Sequence, residues 1–588
     1  MKFESLIAQT NDLVDSGLIP DLRSFSSEGE YLDVILISGD ALVDHPSFGT
    51  AMVARFLESL GLRVGVIAQP DWRDPGAVKI LGRPRLYFGV SSGNLDSMLH
   101  HYTAARKKRH DDPYSPGGVA GLRPNRAVIV YSGLVRAAYR DVPLVIGGME
   151  ASLRRLAHYD YWDDRIRRGI MLDARADVLV YGNAERALAA ITTALRQGRD
   201  LDGLEVAGTV VVRAQPPAGE HLKLPSFEDV ESDPRAFAVM TRDVHREIAS
   251  PNPRTMVQLH GGRFLWHLPP AAPLGTAELD ALYRLPFTRR AHPMYRDQRI
   301  PALDTVRHSI TTHRGCFGGC TFCALAVHQG LVITSRSPES ITLEAEEMSR
   351  ARDFGGTITD VGGPSANMYG ASCGRNPGGR GCMRASCLVP RICPDLQAGA
   401  GASIRLWSEL MRLPRVKHVF VASGVRFDLA NRDPEYIRLL VQNHTGGHLK
   451  VAPEHISDEV LSLMRKPAHR EFERFLSWFE KFRPPKVYLV PYMMSSHPGC
   501  TDRDMAAAAG YLQDRKLAVD QVQDFIPIPG TVAAAMYHSG LDPERLTPVF
   551  VEKTDAGKLR QRHALDRKGP LNVGGVKKWA GRSGQKKR

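Results

Sequence analysis

The sequence predicts two α/β units in one chain, an N-terminal doubly wound parallel sheet followed by a partial (β/α)6 barrel. Three observations lead there. Short β-rich runs alternate with helical spacing over residues 31–195, a second alternation with six strand candidates starts at His308, and the stretch between them is less regular. The chain thus divides into an α/β domain at 1–200, a connecting region with a β-hairpin at 201–300, and a barrel at 301–535. Within the barrel an insertion at 364–400 carries four cysteines, and a basic extension follows at 536–588.

In the first unit YLDVILIS reads as a buried strand, and TAMVARFLESLG as a helix that stops at Gly61. LRVGVIA, RPRLYFGV, NRAVIVYS, VPLVIGG and ADVLVYG are short, β-rich and closed by glycine or polar residues, so each is expected as a strand. Charges, prolines and glycines from His100 to Asn125 mark an inserted loop. In the connecting region TMVQLHGGRFLWHL predicts a hairpin turning at Gly261–Gly262, and Pro269, Pro270, Pro273 and Pro286 suggest an extended connection after it.

The six strands of the second unit are HSITTHRG, GTITDVGG, KHVFVASGVR, GHLKVAPEH, KVYLVPYMMS and AVDQVQDFIPIPG. Helices between them carry legible caps: Ser337–Pro338 and Asp433–Pro434 open two of them, and Gly446–Gly447 stops the second. In such a barrel the reactive groups belong on loops at the C-terminal ends of the strands.

At 588 residues, with 43% hydrophobic and 24% charged side chains, the chain has ample material for several cores. No apolar run is long enough to span a bilayer, and MKFESLIAQTNDLVDSG lacks the order of a signal peptide, so a cytoplasmic protein with no membrane partner is expected. Eight cysteines in so long a chain point to reactivity or metal binding rather than a disulfide scaffold. Of the net charge of +13, Lys553 to Arg588 carries +10, from twelve Lys and Arg against Asp555 and Asp566. This basic tail would suit RNA or another polyanion; the other reading is a solvated end.

The chemistry concentrates after the first barrel strand, in Arg314-Gly-Cys-Phe-Gly-Gly-Cys-Thr-Phe-Cys323. Cys316, Cys320 and Cys323 lie on one glycine-rich loop, and thiolates suit iron–sulfur clusters or zinc. A structural metal site closes with four ligands, whereas three leave one metal atom open. A [4Fe–4S] cluster with one open iron can take the amino and carboxylate groups of S-adenosylmethionine (SAM) and, once reduced, cleave its S–C5′ bond to a 5′-deoxyadenosyl radical. A zinc loop completed by His313 or His328 is the other reading of the same thiols.

This spacing, with Phe322 before the last cysteine, resembles the radical SAM superfamily. Other positions follow its pattern. Asp360-Val-Gly362-Gly363 resembles the segment whose backbone receives the amino group of SAM, with Pro364 in place of the usual acidic residue. Ser423-Gly-Val-Arg426 ends the third strand, where side chains reach the SAM carboxylate, and Lys450 and Glu454 sit where related enzymes bind the ribose. Ser496–Gly499 and Ile526–Gly530 resemble turns lining the adenine. Over nearly the whole chain, runs such as IGGMEASLRRLAHYDYWDDRIRRGI and LKVAPEHISDEVLSLMRKP resemble the YgiQ-type radical SAM proteins. The resemblance implies one [4Fe–4S] cluster, SAM, and a flavodoxin- or ferredoxin-type electron donor. It names no substrate, reaction or catalytic side chain.

The N-terminal sheet also resembles cobalamin-binding domains. Asp44 and His45 are adjacent, however, and His45 stands one residue too far from Gly49, although Ser132-Gly-Leu134 and Gly147–Gly148 are present. A cobalt-ligating histidine needs a carboxylate behind it, so the spacing disfavours cobalamin. In the insertion Cys373, Cys382, Cys387 and Cys393 read either as a second site, zinc or auxiliary iron–sulfur, or as unligated thiols; Cys500 is isolated. The leading function is radical chemistry on an unidentified substrate, with RNA one candidate. A non-catalytic nucleic-acid-binding protein with a structural cluster is the alternative.

Overall fold

A computed structural model describes residues 31–376, 382–517 and 522–566. The N-terminal unit is a nine-stranded sheet built from β1 (Val34–Ser38), β2 (Val64–Ala68), β3 (Tyr87–Ser91), β4 (Leu144–Gly147), β5 (Val178–Val180), β6 (Thr209–Arg213), β7 (His221–Lys223), β8 (Thr255–His260) and β9 (Arg263–His267). Its order is β7-β8-β9-β6-β5-β4-β3-β1-β2, and β1 to β5 are parallel in the flavodoxin-like order 2-1-3-4-5. The topological switch therefore falls between β1 and β3, where loops leave in opposite directions and open a crevice.

Two expectations are corrected. NRAVIVYS is not a strand but the start of a helix at Ala127–Ala138, whose Ala127, Val128, Tyr131, Ser132 and Val135 are buried at helical spacing. Its β-branched residues suggest a strand, but that buried stripe decides the matter. The helix begins on acceptors from elsewhere: Ala127 N donates to Ser97 Oγ (3.2 Å) and Val128 N to Glu150 Oε1 (3.0 Å). The region 201–300 is likewise more regular than expected, because β6 to β9 extend the N-terminal sheet with mostly antiparallel pairing. The hairpin is present, with β8 and β9 antiparallel and Gly261 and Gly262 at φ 53° and 84°.

All six barrel strands form. They are β10 (Ser309–Thr311), β11 and β12 (Thr357–Ile358 and Asp360–Gly362, two halves of the second), β13 (His418–Val419), β14 (His448–Glu454), β15 (Tyr488–Ser495) and β16 (Val522–Asp524). Parallel ladders join them in chain order, with a Val425–Val451 bridge linking the third to the fourth. Among the described residues no ladder joins the sixth strand to the first, so the barrel is partial.

The two units share a core: Ile37, Phe88 and Tyr159 of the first belong to the same apolar cluster as Met493, Phe525 and Val532 of the second. The C-terminal extension reinforces this junction. From its helix at Asp555–Asp566, Gln561 accepts from Ser496 N (2.9 Å) and donates to Cys500 O (3.0 Å), Arg562 pairs with Asp524 (2.9 Å), and Lys558 donates to Tyr161 and Tyr537 hydroxyls (3.2 and 2.7 Å). Four of the twelve basic residues of the expected tail therefore stand in or beside this helix (Lys553, Lys558, Arg560 and Arg562). The other eight lie outside the described residues. No helix among the described residues is long and apolar enough to cross a membrane.

Candidate active site

The loop bearing Cys316, Cys320 and Cys323 leaves the C-terminal end of β10 and is held from several sides. Cys316 N donates to Gly330 O (3.1 Å), Thr321 N and Oγ1 donate to Met464 and Leu463 carbonyls (3.1 and 2.8 Å), and Ala533 N donates to Thr321 O (2.9 Å). Two glycines are required by space as well as by conformation. A Cβ on Gly315 (φ 86°) would lie 1.9 Å from Val332 O, and one on Gly319 (φ 62°) 2.0 Å from Ala385 O. Between them a Cβ on Gly318 would sit 3.4 Å from Cys316 Sγ and 3.9 Å from Cys320 Sγ, so both sulfurs flank a bare stretch of backbone.

Arg426, expected at the SAM carboxylate, brings its Nη1 to 3.6 Å from Cys320 Sγ. Its Nε and Nη2 make a bidentate pair with buried Asp428 (3.0 and 2.7 Å). Burial opposes its charge, yet Asp428 and the thiols of Cys320 and Cys316 hold the guanidinium protonated above its ordinary range. A fixed cation beside a thiol favours its thiolate form. Lys466, also buried, reinforces this field; its charge acts on Cys316, Asp428 and Glu454. The sequence analysis missed Lys466 and Asp428. The only trace of Lys466 was its place in the MRKP run after the fourth strand.

Glu454 ends β14 in the left-handed region, at φ 68°, where a non-glycine residue is strained. Its side chain is buried, burial pushes its carboxyl above the usual range against the pull of Lys466 and Arg426, and Oε2 has no hydrogen-bond partner among the described residues. At the end of β15, Ser496 has φ 62° and a buried Oγ with no partner, and the adjacent His497 has an unpartnered Nε2. His497 sits edge-on to Phe322 of the cysteine loop (6.0 Å) and to Phe525 (5.1 Å). Strained backbone and orphaned acceptors on adjacent strand ends fit a ligand bearing hydroxyls and an aromatic base, such as the nucleoside of SAM.

Other expected residues are placed differently. Lys450 is exposed, on the side of its strand opposite Leu449 and Val451, which pack against the covering helices. Ser423 is bound up with the second strand, its Oγ donating to Asp360 Oδ2 (2.5 Å) and its N to Asp360 Oδ1 (3.0 Å). Gly362 packs against Ser423, where a Cβ would lie 2.6 Å from Oγ, and its carbonyl accepts from Thr312 N and Oγ1 (2.8 and 3.1 Å). Gly363 lies on the His313 ring, 2.6 Å from Cε1 by the same measure. His328 Nδ1 is drawn to Ser152 of the N-terminal unit (2.9 Å), and His313 Nδ1 meets Thr312 Oγ1 (2.9 Å). A cavity of about 490 Å³ opens between the ends of β3, β4 and β5 and the first three barrel strands, lined by Ser91, Gly147, Gly182, Thr311, Asp360 and Gly363.

On the N-terminal side His45 has both ring nitrogens engaged, Nδ1 by Ser47 N (3.0 Å) and Nε2 by Arg289 (3.0 Å), while Asp44 pairs with Arg55 (2.6 Å). Ser132–Leu134 lies within a helix and not at a strand end. His45 and Asp44 are thus each engaged by an arginine.

A three-thiol loop on a partial barrel, with orphaned acceptors around it, defines a radical SAM protein. Residues 24–309 match the family described as Radical SAM N-terminal, 310–512 the Radical SAM superfamily, and 520–568 a domain of unknown function (DUF3362). The chain is 50% identical over 541 residues to a UPF0313 protein of Geobacter sulfurreducens (91% of this chain, 89% of that one). It is 44% identical to one of Methanocella arvoryzae (93% and 92%) and 42% identical to one of Pseudomonas aeruginosa (87% and 78%). The chain belongs to the UPF0313 family, the YgiQ-type radical SAM proteins, and is a radical SAM enzyme. Among solved structures it is similar to the radical SAM methyltransferase TsrM from Kitasatospora setae (16% identity, TM-score 0.48, 84% of this chain and 73% of that one). It is also similar to the cobalamin-dependent enzyme OxsB (11%, TM-score 0.48, 92% and 62%).

Proposed function

We propose that the protein holds one [4Fe–4S] cluster on Cys316, Cys320 and Cys323 and binds SAM across the β12–β15 ends to start radical chemistry on a substrate still to be identified. The carrying observation is the buried, unpartnered Glu454 carboxylate, held in strained backbone on the same face as the cysteine loop. When bound and reduced, the cluster supplies the electron that cleaves the S–C5′ bond of SAM. The protein's part is positional. Arg426, fixed by Asp428, sets the charge at Cys320, and Glu454 takes the ribose hydroxyls. Phe322 and His497 wall the base, and the shared apolar core behind Met493 and Phe525 excludes water.

The test is anaerobic reconstitution with iron, sulfide and SAM. The native chain should form 5′-deoxyadenosine and methionine, and the reduced cluster's electron paramagnetic resonance (EPR) signal should shift when SAM is added. Replacing Cys316, Cys320 and Cys323 together by Ala should abolish both, and a triple variant that still cleaved SAM would refute the assignment.

A further inference from the structure

The insertion of the second barrel crossover brings its own four cysteines against the primary loop. From β12 to the helix at Gly401–Met411 the only regular elements described are a short 3-10 turn and the two-residue pair Ser372–Cys373 with Leu396–Gln397. A connection of that length with so little secondary structure is uncommon unless something else orders it. The cysteines lie where the chain folds back on itself. Cys373 pairs with Leu396, Leu396 N donates to Cys393 O (3.1 Å), and Cys393 N donates to Cys387 O (2.8 Å). Cys382, Cys393 and Cys373 all stand within electrostatic reach of Cys387, a fourfold grouping.

The group rests on the primary site. Cys387 N donates to Phe317 O (3.1 Å), one residue from Cys316, and Cys387, Cys393 and Cys316 border one apolar cluster of Phe317, Met368, Leu388, Leu396 and Leu429. All four thiols are free of disulfides. Arg384 is fixed by the Ser386 and Arg391 carbonyls (3.2 and 2.9 Å) beside the Cys387 thiol.

We infer that Cys373, Cys382, Cys387 and Cys393 ligate a second, fully protein-ligated iron–sulfur cluster beside the SAM-binding one. A cluster suits the arrangement better than zinc. A tetrahedral zinc with Zn–S of about 2.3 Å needs its sulfurs roughly 3.8 Å apart. Cys387 and Cys393 of the insertion instead border the same apolar cluster as Cys316 of the primary loop, whose cysteines the proposed function gives to an iron–sulfur cluster. In a cluster each thiolate takes a different iron and the sulfurs stand further apart. Ligation would order the insertion, since metal binding to such a segment is coupled to its folding.

The full chain with Cys316, Cys320 and Cys323 all changed to Ala, reconstituted anaerobically, separates the two sites. It should keep about four irons with matching acid-labile sulfide and absorbance near 400 nm, and lose them when Cys387→Ser and Cys393→Ser are added. Should the triple variant fail to fold, Cys382→Ser with Cys387→Ser in the otherwise native chain answers the same question. Iron should then fall from about eight to about four per chain, while the EPR signal of the remaining cluster still shifts with SAM. A native chain holding only about four irons, zinc in place of iron on these thiols, or four thiols alkylated at once without metal release would overturn the inference. None of these outcomes touches the primary site, whose failure would show instead as lost SAM cleavage.

Discussion

Two buried glutamates show how differently the two halves of the molecule use a carboxylate. Glu150 follows Gly147–Gly148 at the end of β4 and has each oxygen engaged: Oε2 accepts from Ser97 N and Oγ (2.9 and 2.5 Å) and Oε1 from Val128 N. Around it Arg154 pairs with Asp96 and Asp160 (2.7 and 2.9 Å), and Arg123 with Asp40 and Asp112 (2.9 and 3.2 Å), although Arg123 Nε has no hydrogen-bond partner among the described residues. Glu454 instead is the last residue of a barrel strand, in strained backbone and with Oε2 unpaired. Burial raises both carboxyls. A satisfied buried group fixes loops, whereas an unsatisfied one is tolerated where a ligand completes it. By that criterion Glu150 is a scaffold group, and Glu454 is the one that the proposed function assigns to a ligand.

The largest effect should come from the scaffold. Arg154→Ala strands two buried aspartates, and breaking such a pair typically costs about 3–5 kcal/mol. Anaerobic urea denaturation should show the midpoint falling sharply, with less loss for Arg154→Met, which keeps the packing. An unchanged midpoint in the Ala variant would mean that this network is not structural, and the contrast would collapse.

Glu454→Gln should do the reverse. A carboxyl raised in the fold is disfavoured as its ion, so its contribution to stability is lost as pH rises from the unfolded value of about 4.5 through the folded one. At neutral pH the glutamine should leave the ligand-free protein as stable as the native chain or more so. SAM affinity should drop by about tenfold or more, near 1.4 kcal/mol, read by titrating the EPR change. Lost stability with unchanged SAM affinity would place Glu454 with Glu150 as a structural group.

Acid should sharpen the comparison through histidines on both sides. Burial holds His158 and His260 in the first unit and His455 in the second near pH 4, and His497 near 3, against 6.5 ordinarily. The folded state keeps them neutral while the unfolded chain takes up protons, so stability is full above about 6.5 and falls as pH drops from there toward 4. Urea midpoints at pH 7.5, 6.0 and 5.0 should decline steadily. A flat profile to pH 5 would show that these rings protonate in place.

Much of this was legible in the sequence because each cue was local. The strand runs, the caps at Ser337 and Asp433 and the Cys-x3-Cys-x2-Cys loop each declare themselves within a dozen residues. What was missed depends on distant partners. The helix at Ala127 was mistaken for a strand because its β-branched start is offset by acceptors from Ser97 and Glu150, far along the chain. β6 to β9 looked irregular because their pairing with the parallel sheet is not written in any short window. Ser423 and Lys450 lie in the motifs that suggested them, but pleat and neighbour decide their side chains. Ser423 turns to Asp360, and Lys450 alternates with Leu449 and Val451, which pack against the covering helices.

The smallest effect concerns the basic tail and asks whether a third region belongs to the functional side of the comparison. The charge of the last 36 residues reads as a polyanion handle. Yet Lys558 and Arg562 are engaged by Tyr161, Tyr537 and Asp524 and clamp the barrel to the N-terminal unit. Deleting from Lys553 would therefore confound RNA binding with unfolding, and truncation after Asp566 removes only the other eight cations. If about half of those touch phosphates of a single strand, the slope of log affinity against log salt should become shallower by about 3. SAM cleavage and the urea midpoint should not move, because Gln561 and the helix carrying it are retained. Equal RNA affinity and equal slope for the truncated and native chains across 50–300 mM salt would assign the tail to solvent.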